Sequence, residues 1–559
     1  MQDLILKFLG KEWADVQFSP VPKGQEGDLA ISFFEVAKHT KSSPVVIAQE
    51  VSKLLEKCDL IEKTAIIGPY LNLFFKNEVF FEHMFQTPLS TNLLKNQNIV
   101  LEFSGPNTNK PLHLGHMRNH ALGLSMSNLL ESVGAKVHRV NIINDRGVHI
   151  CKSMLAYQKW GNNETPESTE ENPDFFVGRY YIKFEQELKK DPTLKDKIQE
   201  MLILWEKGDK DVHKLWKKMN SWTLAGHAKT YERQGIKFEK SYYESETYQQ
   251  GKEIAEEGLK KNVFFKKDDG TIAIDLSGEG LDEKVIMRAD GTSVYLTQDL
   301  AVATLRDQDF NHPDELIYTV ADEQNYHFKV LFLCLEKLGI LNRERLCHLS
   351  YGLVNLPHGR MKSREGTVVD ADTLMDNLSN LALKEIQKRN PEIPEKEAKQ
   401  TAEQIMNAAW KFALLTTSPK KTITYDPESS LSFEGATGPY LQYAGVRIKS
   451  IIKKAKELKP RFNIKNPDLT SGDTEKPLGV KVLEFPQVLD RAAETKNPTY
   501  LVTYLLELAQ EWSSFYAENS VLKAETEDLK KARLALAKKV LDVLEKGLGI
   551  LGIEIPEQM

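Results

Sequence analysis

Residues 98–143 constrain the fold more than any other stretch. NIVLEF (98–103) reads as a short buried strand, and SGPNTNKPLHLG (104–115), rich in Pro, Asn and Gly, as a loop. A helical pattern follows and ends at Gly134, a plausible C-cap, and KVHRVNII (136–143) is a second strand. Strand, loop, helix and strand in that order read as a βαβ unit of a parallel sheet. Ligands in such sheets sit at the carboxyl ends of the strands, where this Gly/His loop falls.

Strand signals return late, in ELIYTVAD (315–322) and LCHLSYGLV (346–354), with a helix, HFKVLFLCLEKLG (327–339), between them. The intervening residues 175–260 are charged and helix-rich, and Trp205, Trp216 and Trp222 read there as helix-face core. The expectation is an α/β fold: a nucleotide-binding parallel sheet over 96–375, split by a helical insertion at about 155–285. Residues 1–95 form a small α+β unit, with a helix over 42–57, alternating apolar residues over 65–75 and a polar linker at 90–98. From about 375 the pattern is almost wholly helical, divided into a connective region (376–435) and a terminal domain (436–559), with an exposed loop at 463–477.

Composition excludes some function classes. Lys and Arg total 74 against 80 Asp and Glu, so a net charge of −6 gives no global basic field, though a local basic face would suffice for a nucleic acid. Cys58, Cys151, Cys334 and Cys347 are scattered with no CxxC pair, which argues against disulfides and zinc ribbons. No apolar run reaches roughly 18–20 residues, and the N-terminus lacks an h-region, so cytoplasmic residence without a membrane partner is expected.

The chemistry is carried by two strings. His113-Leu114-Gly115-His116 opens a helix after a strand. Two histidines three apart at a helix N-terminus can direct imidazole N–H groups at phosphate, where the helix dipole adds positive charge. Gly115 omits a Cβ and lets a flat purine approach the backbone. The second string, His358-Gly359-Arg360-Met361-Lys362-Ser363-Arg364-Glu365-Gly366, follows a late strand, and its cations suit a leaving polyphosphate.

On these strings the chain resembles the class I aminoacyl-tRNA synthetases, and within them the arginyl-tRNA synthetases. HLGH looks like the HIGH signature and RMKSREG like the KMSKS loop; LEFSGPNTNKPLHLGHMRNHALG (101–123), ADGTSVYLTQDLA (289–301), TGPYLQYAGVRI (437–448) and the C-terminal 530–559 resemble further blocks of that family. The resemblance implies a Rossmann-like catalytic domain between an N-terminal α+β domain that touches the tRNA elbow and a helical anticodon-binding domain. It implies an arginine–tRNA ligase with ATP, L-arginine and tRNA(Arg) as partners, Mg²⁺ accompanying the ATP without a dedicated protein site, and a monomer. ATP would be held by His113, Gly115, His116, Arg360, Met361, Lys362, Ser363 and Arg364. The catalytic charges would come from His113, His116, Lys110 and Lys362, because Ser363 stands where the wider class has its second lysine. Arginine would be held by Glu102 and Asn107 at its α-amino and carboxylate end, and by Tyr295, Asp299 and Gln324 towards its guanidinium. Tyr70 and Asn72 would read one elbow base; Tyr440 and Tyr516, with Tyr443 the weaker candidate, would stack anticodon bases, and Met559 would close that pocket. The cations between Arg447 and Arg461 read either as a phosphate track or as a solvated face. Asn144-Asp145-Arg146-Gly147 reads equally as a turn and as a substrate contact.

Overall fold

The computed structural model describes all residues except Lys23, Ser293, 358–368 and 456–473. Four antiparallel strands, β1 (Gln17–Ser19), β2 (Leu29–Ser32), β3 (Ile61–Ile67) and β4 (Tyr70–Phe75), form the N-terminal sheet in the order β1-β2-β4-β3. The alternating stretch around residue 70 is therefore a hairpin, turned at Gly68 with φ 58°. Leu71, Leu73 and Phe75 point into its core, and Tyr70, Asn72 and Phe74 share the opposite face.

The central sheet is built from β5 (Asn98–Glu102), β6 (Lys136–Ile143), β7 (Lys240–Tyr243), β11 (Glu315–Ala321) and β12 (Leu346–Tyr351). All its pairings are parallel, in the order β12-β11-β5-β6-β7, so strand order reverses between β5 and β11. That reversal opens a crevice at the strands' carboxyl ends. The helix Leu114–Ser132 connects β5 to β6 and is buried on nearly every side, lying between the sheet and C-terminal helices. Its apolar residues accordingly show no single stripe.

The insertion expected over about 155–285 is divided. Helices Val148–Trp160, Pro173–Leu188, Leu194–Glu206 and Lys210–Gln234 form it, but β7 then returns to the sheet edge beside β6. A second excursion follows: the helix Glu244–Lys260 and a small antiparallel sheet of β8 (Phe265–Lys266), β9 (Ile272–Ile274) and β10 (Lys284–Met287). Trp205 is buried, and Trp216 and Trp222 pack on the core of the first excursion.

Stem helices Ala371–Arg389 and Glu395–Leu415 lead to the C-terminal helices Gly438–Lys454, Lys476–Glu494, Thr499–Glu518 and Glu527–Ile550. A short parallel pair, β13 (Val354–Asn355) and β14 (Ile423–Thr424), ties the stem to the end of the sheet. The N-terminal domain closes against the C-terminal one: Lys476 donates to Asp28 at 3.1 Å and to the Phe75 carbonyl at 2.9 Å.

Candidate active site

His113 is the N-cap of the helix Leu114–Ser132, in extended conformation. Its Nδ1 accepts the backbone N–H of Gly115 at 3.1 Å, and the Nδ1 of His116 accepts the N–H of His113 at 3.1 Å. A backbone amide can only donate, so both Nδ1 atoms carry lone pairs and both neutral rings carry their proton on Nε2. Burial, reinforced by Lys110, pulls His113 down to about 3, and burial with His113 alongside holds His116 well below the usual histidine range. The two rings, with centroids 3.9 Å apart, are thus neutral N–H donors at a helix N-terminus. A Cβ on Gly115 would lie 3.0 Å from the His113 ring, so the space freed by this glycine is used first by the imidazole rather than by a purine.

Lys110 lies on the same loop, its ammonium depressed by burial. Lys110, His113 and Asp370 line one side of a cleft of about 670 Å³, and Phe175, Tyr181 and Ile182 of the insertion line the other. The segment that follows residue 368 is fastened to the first signature: Leu114 N–H donates to the Val369 carbonyl at 3.1 Å and Ala371 N–H to the Leu112 carbonyl at 2.9 Å. Arg360, Met361, Lys362, Ser363 and Arg364 lie outside the described residues.

A group of buried carboxylates stands at the carboxyl ends of β5, β6 and β7. Glu102 ends β5 and forms an ion pair with Arg306; burial raises its pKa, Arg306 opposes this, and Asp299 adds to it. Asp299 lies one helical turn after Tyr295 on the helix Tyr295–Asp309 and is bonded to His327 Nε2 at 2.5 Å. Tyr295 is 69 % exposed, and Gln324 is exposed in the turn before the helix Asn325–Lys337. Asn107 pairs with Asn144 in an isolated parallel bridge that extends β5 and β6.

Two acids of this group, Glu244 and Asp145, lie outside the arginine-binding candidates read from the sequence. Glu244 directly follows β7, accepts from Gln298 Nε2 at 2.6 Å, and is pushed up to about 7 by burial, with Asp145 and Asp299 adding to the effect. Asp145 accepts the backbone N–H of Ser245 at 2.9 Å and its hydroxyl at 2.7 Å, which anchors the helix bearing Glu244. The Asp145 carbonyl also accepts Trp216 Nε1 at 2.6 Å, and Arg146 lies over Trp205 and Tyr248 while pairing with Glu206 at 2.8 Å. The Asn-Asp-Arg-Gly block is therefore a structural joint. The signal for Glu244 was its position after a strand, and that strand is too short and polar to read.

At the N-terminal domain, Tyr70 is partly exposed and packs edge-on against Phe34. Asn72 is fully buried: its amide donates to Gln25 Oε1 at 3.1 Å and the Glu26 carbonyl at 3.0 Å. It shares a face with Tyr70 as expected, but the segment Gln25–Glu26 covers it from any base. At the other end, Tyr516 stacks on Trp512, and Arg447 lies 5.3 Å from the Tyr516 ring and 5.7 Å from Tyr443. Tyr443 joins Tyr516 around one guanidinium, whereas Tyr440 packs against the core and Met559 against the stem helices. Lys449 is engaged by Glu545, Glu557 and the Ile555 carbonyl, while Lys453 and Lys454 are exposed; Lys456, Lys459 and Arg461 lie outside the described residues.

A parallel sheet with paired histidines at the strand-order reversal, followed by a helical C-terminal domain, defines a class I aminoacyl-tRNA synthetase. Residues 83–426 match the family described as tRNA synthetases class I (R), catalytic domain; residues 2–75 match the arginyl tRNA synthetase N terminal domain, and residues 441–559 the DALR anticodon binding domain. An arginine–tRNA ligase of Treponema denticola is 45% identical over 96% of this chain and 94% of its own length; one from Bacteroides fragilis is 40% identical over 98% and 96%. Among solved structures, the Thermus thermophilus arginyl-tRNA synthetase superposes with a TM-score of 0.84 at 27% identity, covering 100% of this chain and 99% of that one. A Mycobacterium tuberculosis methionyl-tRNA synthetase, at TM-score 0.56 and 11% identity over 82% of this chain and 92% of that one, shares the fold alone. The chain belongs to the arginyl-tRNA synthetases.

Proposed function

We propose that the protein ligates arginine to tRNA(Arg). The carboxylate of arginine attacks the α-phosphate of ATP, forming arginyl-adenylate and releasing pyrophosphate; the 3′-terminal adenosine hydroxyl of the tRNA then attacks the adenylate carbonyl and AMP leaves. Substrate groups perform both attacks, so the protein positions them and stabilises charge on phosphate. Mg²⁺ enters as part of the ATP substrate, carried on its polyphosphate.

His113 and His116 donate Nε2–H bonds to phosphate oxygens, and Lys110 contributes the full charge that two neutral rings cannot. Gly115 gives His113 its place. Lys362 and the flanking Arg360, Met361, Ser363 and Arg364 are proposed to receive the leaving pyrophosphate. The guanidinium, with five N–H donors in a fixed fork, goes to Asp299 and Glu244. Tyr295 covers its aliphatic stem, and Gln324 and Asn107 border the pocket. Glu102 is proposed to take the α-ammonium with the oxygen that Arg306 leaves over. Tyr70 stacks an elbow base, and Asn72 holds Gln25 beside it. Tyr516 stacks an anticodon base, with Tyr440 and Met559 supporting that wall. The protein is proposed to act as a cytoplasmic monomer, divided at 1–95, 96–375, 376–435 and 436–559.

The observation that carries the reading is the neutral imidazole pair at a helix start, together with buried carboxylates at the carboxyl ends of strands of the same sheet; phosphate and a guanidinium are the complements of these two. The test is pyrophosphate exchange into ATP, one amino acid at a time, with and without tRNA(Arg). Arginine alone among the amino acids should support exchange. Exchange with another amino acid refutes the pocket, and tRNA binding with no exchange at all refutes the enzyme.

A further inference from the structure

Lys411, in the stem helix Glu395–Leu415, is buried, and the chemistry above makes no use of it. Its ammonium donates to two main-chain carbonyls, Gln234 at 2.8 Å and Gly552 at 2.7 Å. Gln234 is the last residue of the insertion's longest helix, and Gly552 lies in the turn after the last helix of the chain. Helix C-termini carry partial negative charge, which suits a cation. Even so, Lys411 is pulled down to about 7 by burial, with Glu554 opposing. An apolar side chain would fill this space without that cost. What the ammonium adds is the connection between three parts of the chain.

The connection continues into the active site. Gln234 Oε1 accepts from His120 Nδ1 at 2.6 Å, which leaves His120 Nε2 to accept from the Ser104 hydroxyl at 2.8 Å. Burial keeps His120 neutral, down to about 4, as this order of protons requires. His120 stands one turn after His116, with ring centroids 6.2 Å apart, and Ser104 opens the loop that carries Lys110 and His113.

We propose that Lys411 is a positioning residue for adenylate formation: it seats the C-terminal tail on the insertion helix and, through Gln234 and His120, fixes where His116 and the first signature loop stand. The proposal rests on the ligase reading above. Arg118 separately holds the signature helix to the carbonyls of Leu414, Pro419 and Lys421, so the fold does not hang on Lys411 alone.

The experiment uses the full chain with Lys411→Met, Gln234→Ala and the double variant, measuring arginine-dependent pyrophosphate exchange with tRNA(Arg) present, alongside tRNA affinity. Each single variant should lower kcat roughly tenfold, with KM for ATP and arginine and Kd for tRNA unchanged. The double variant should lose no more than either single one, because both cut the same chain of contacts. Lys411→Arg, which keeps the charge, should recover part of the loss. Unaltered kcat in Lys411→Met, or additive losses, overturns the proposal. If Lys411→Met does not fold, Gln234→Ala decides alone, since it leaves both lysine bonds in place. A wild type inactive with arginine and tRNA overturns the ligase reading; an active wild type with fully active variants overturns this proposal alone.

Discussion

Glu244 offers a quantitative handle on the proposed arginine pocket. Its carboxyl is pushed from 4.5 to about 7 in the free protein, because burial, with the neighbouring Asp145 and Asp299 adding to it, disfavours its charge. A guanidinium placed against it reverses that balance, so arginine binding must expel the proton. Binding is therefore proton-releasing and tightens as pH rises. With a free-protein value of about 7, roughly a tenth of the sites are ionised at pH 6 and nine tenths at pH 8. Arginine affinity should consequently rise about tenfold between those two pH values. Calorimetric titration with arginine at pH 7, in two buffers of different ionisation enthalpy, should reveal release of about half a proton. Glu244→Gln, which keeps the shape and removes the charge, should abolish this pH dependence and weaken binding at pH 8 by ~1.5–3 kcal/mol, roughly 10- to 150-fold. Arginine affinity that is flat from pH 6 to pH 8, with no proton released, would show that Glu244 does not meet the guanidinium.

His116→Ala removes one preorganised donor and should slow pyrophosphate exchange by about 10²–10³-fold while tRNA affinity stays unchanged, as filter binding would show. Imidazole ¹⁵N shifts should report the Nε2–H form for His113 and His116 and the Nδ1–H form for His120, all constant from pH 8 to pH 5; a titration inside that range contradicts the burial that pulls His113 to about 3 and His120 to about 4. Gly123→Ala would drive a Cβ into the Phe103 ring, where the signature helix meets β5. It should destabilise the protein by about 1–3 kcal/mol, read as a lower denaturant midpoint, with KM values for both small substrates retained.

What was legible in the sequence followed from burial. β5 and β11 are covered on both faces and so read as apolar runs, and β6 and β12 could be read from the apolar residues set among their polar ones. The loop between β5 and its helix was recognisable because its Gly, Pro and His occur in a fixed order. β7 was not legible: Lys-Ser-Tyr-Tyr is four residues at the sheet edge, with no apolar run to announce it. Missing the strand hid the acid that directly follows it. Long-range coverage was equally invisible. Period-two reasoning put Asn72 on the face of Tyr70, but nothing local to residue 72 says that residues 25 and 26 fold over it. The placement of Tyr443 beside Arg447 and Tyr516 was hidden in the same way, because it depends on where a neighbouring helix sits.

The histidine cap has a consequence for what kind of donor this helix can be. Many anion sites at helix starts present backbone N–H groups directly, so the ligand must come down to the main chain. Here the N–H groups of His113 and Gly115 are spoken for by imidazole lone pairs, and each ring re-emits the bond from its far edge. An imidazole acts as a polarity adaptor: it takes a hydrogen bond in on one side and gives one out on the other without acquiring charge. The helix start is thereby extended outward by the width of a ring, and its donors become replaceable side chains. The same wiring forbids protonation, because a proton on Nδ1 would displace the amide that orients the ring. In the proposed phosphate site, geometry and formal charge would thus be set by different residues, the first by two histidines, the second by lysine.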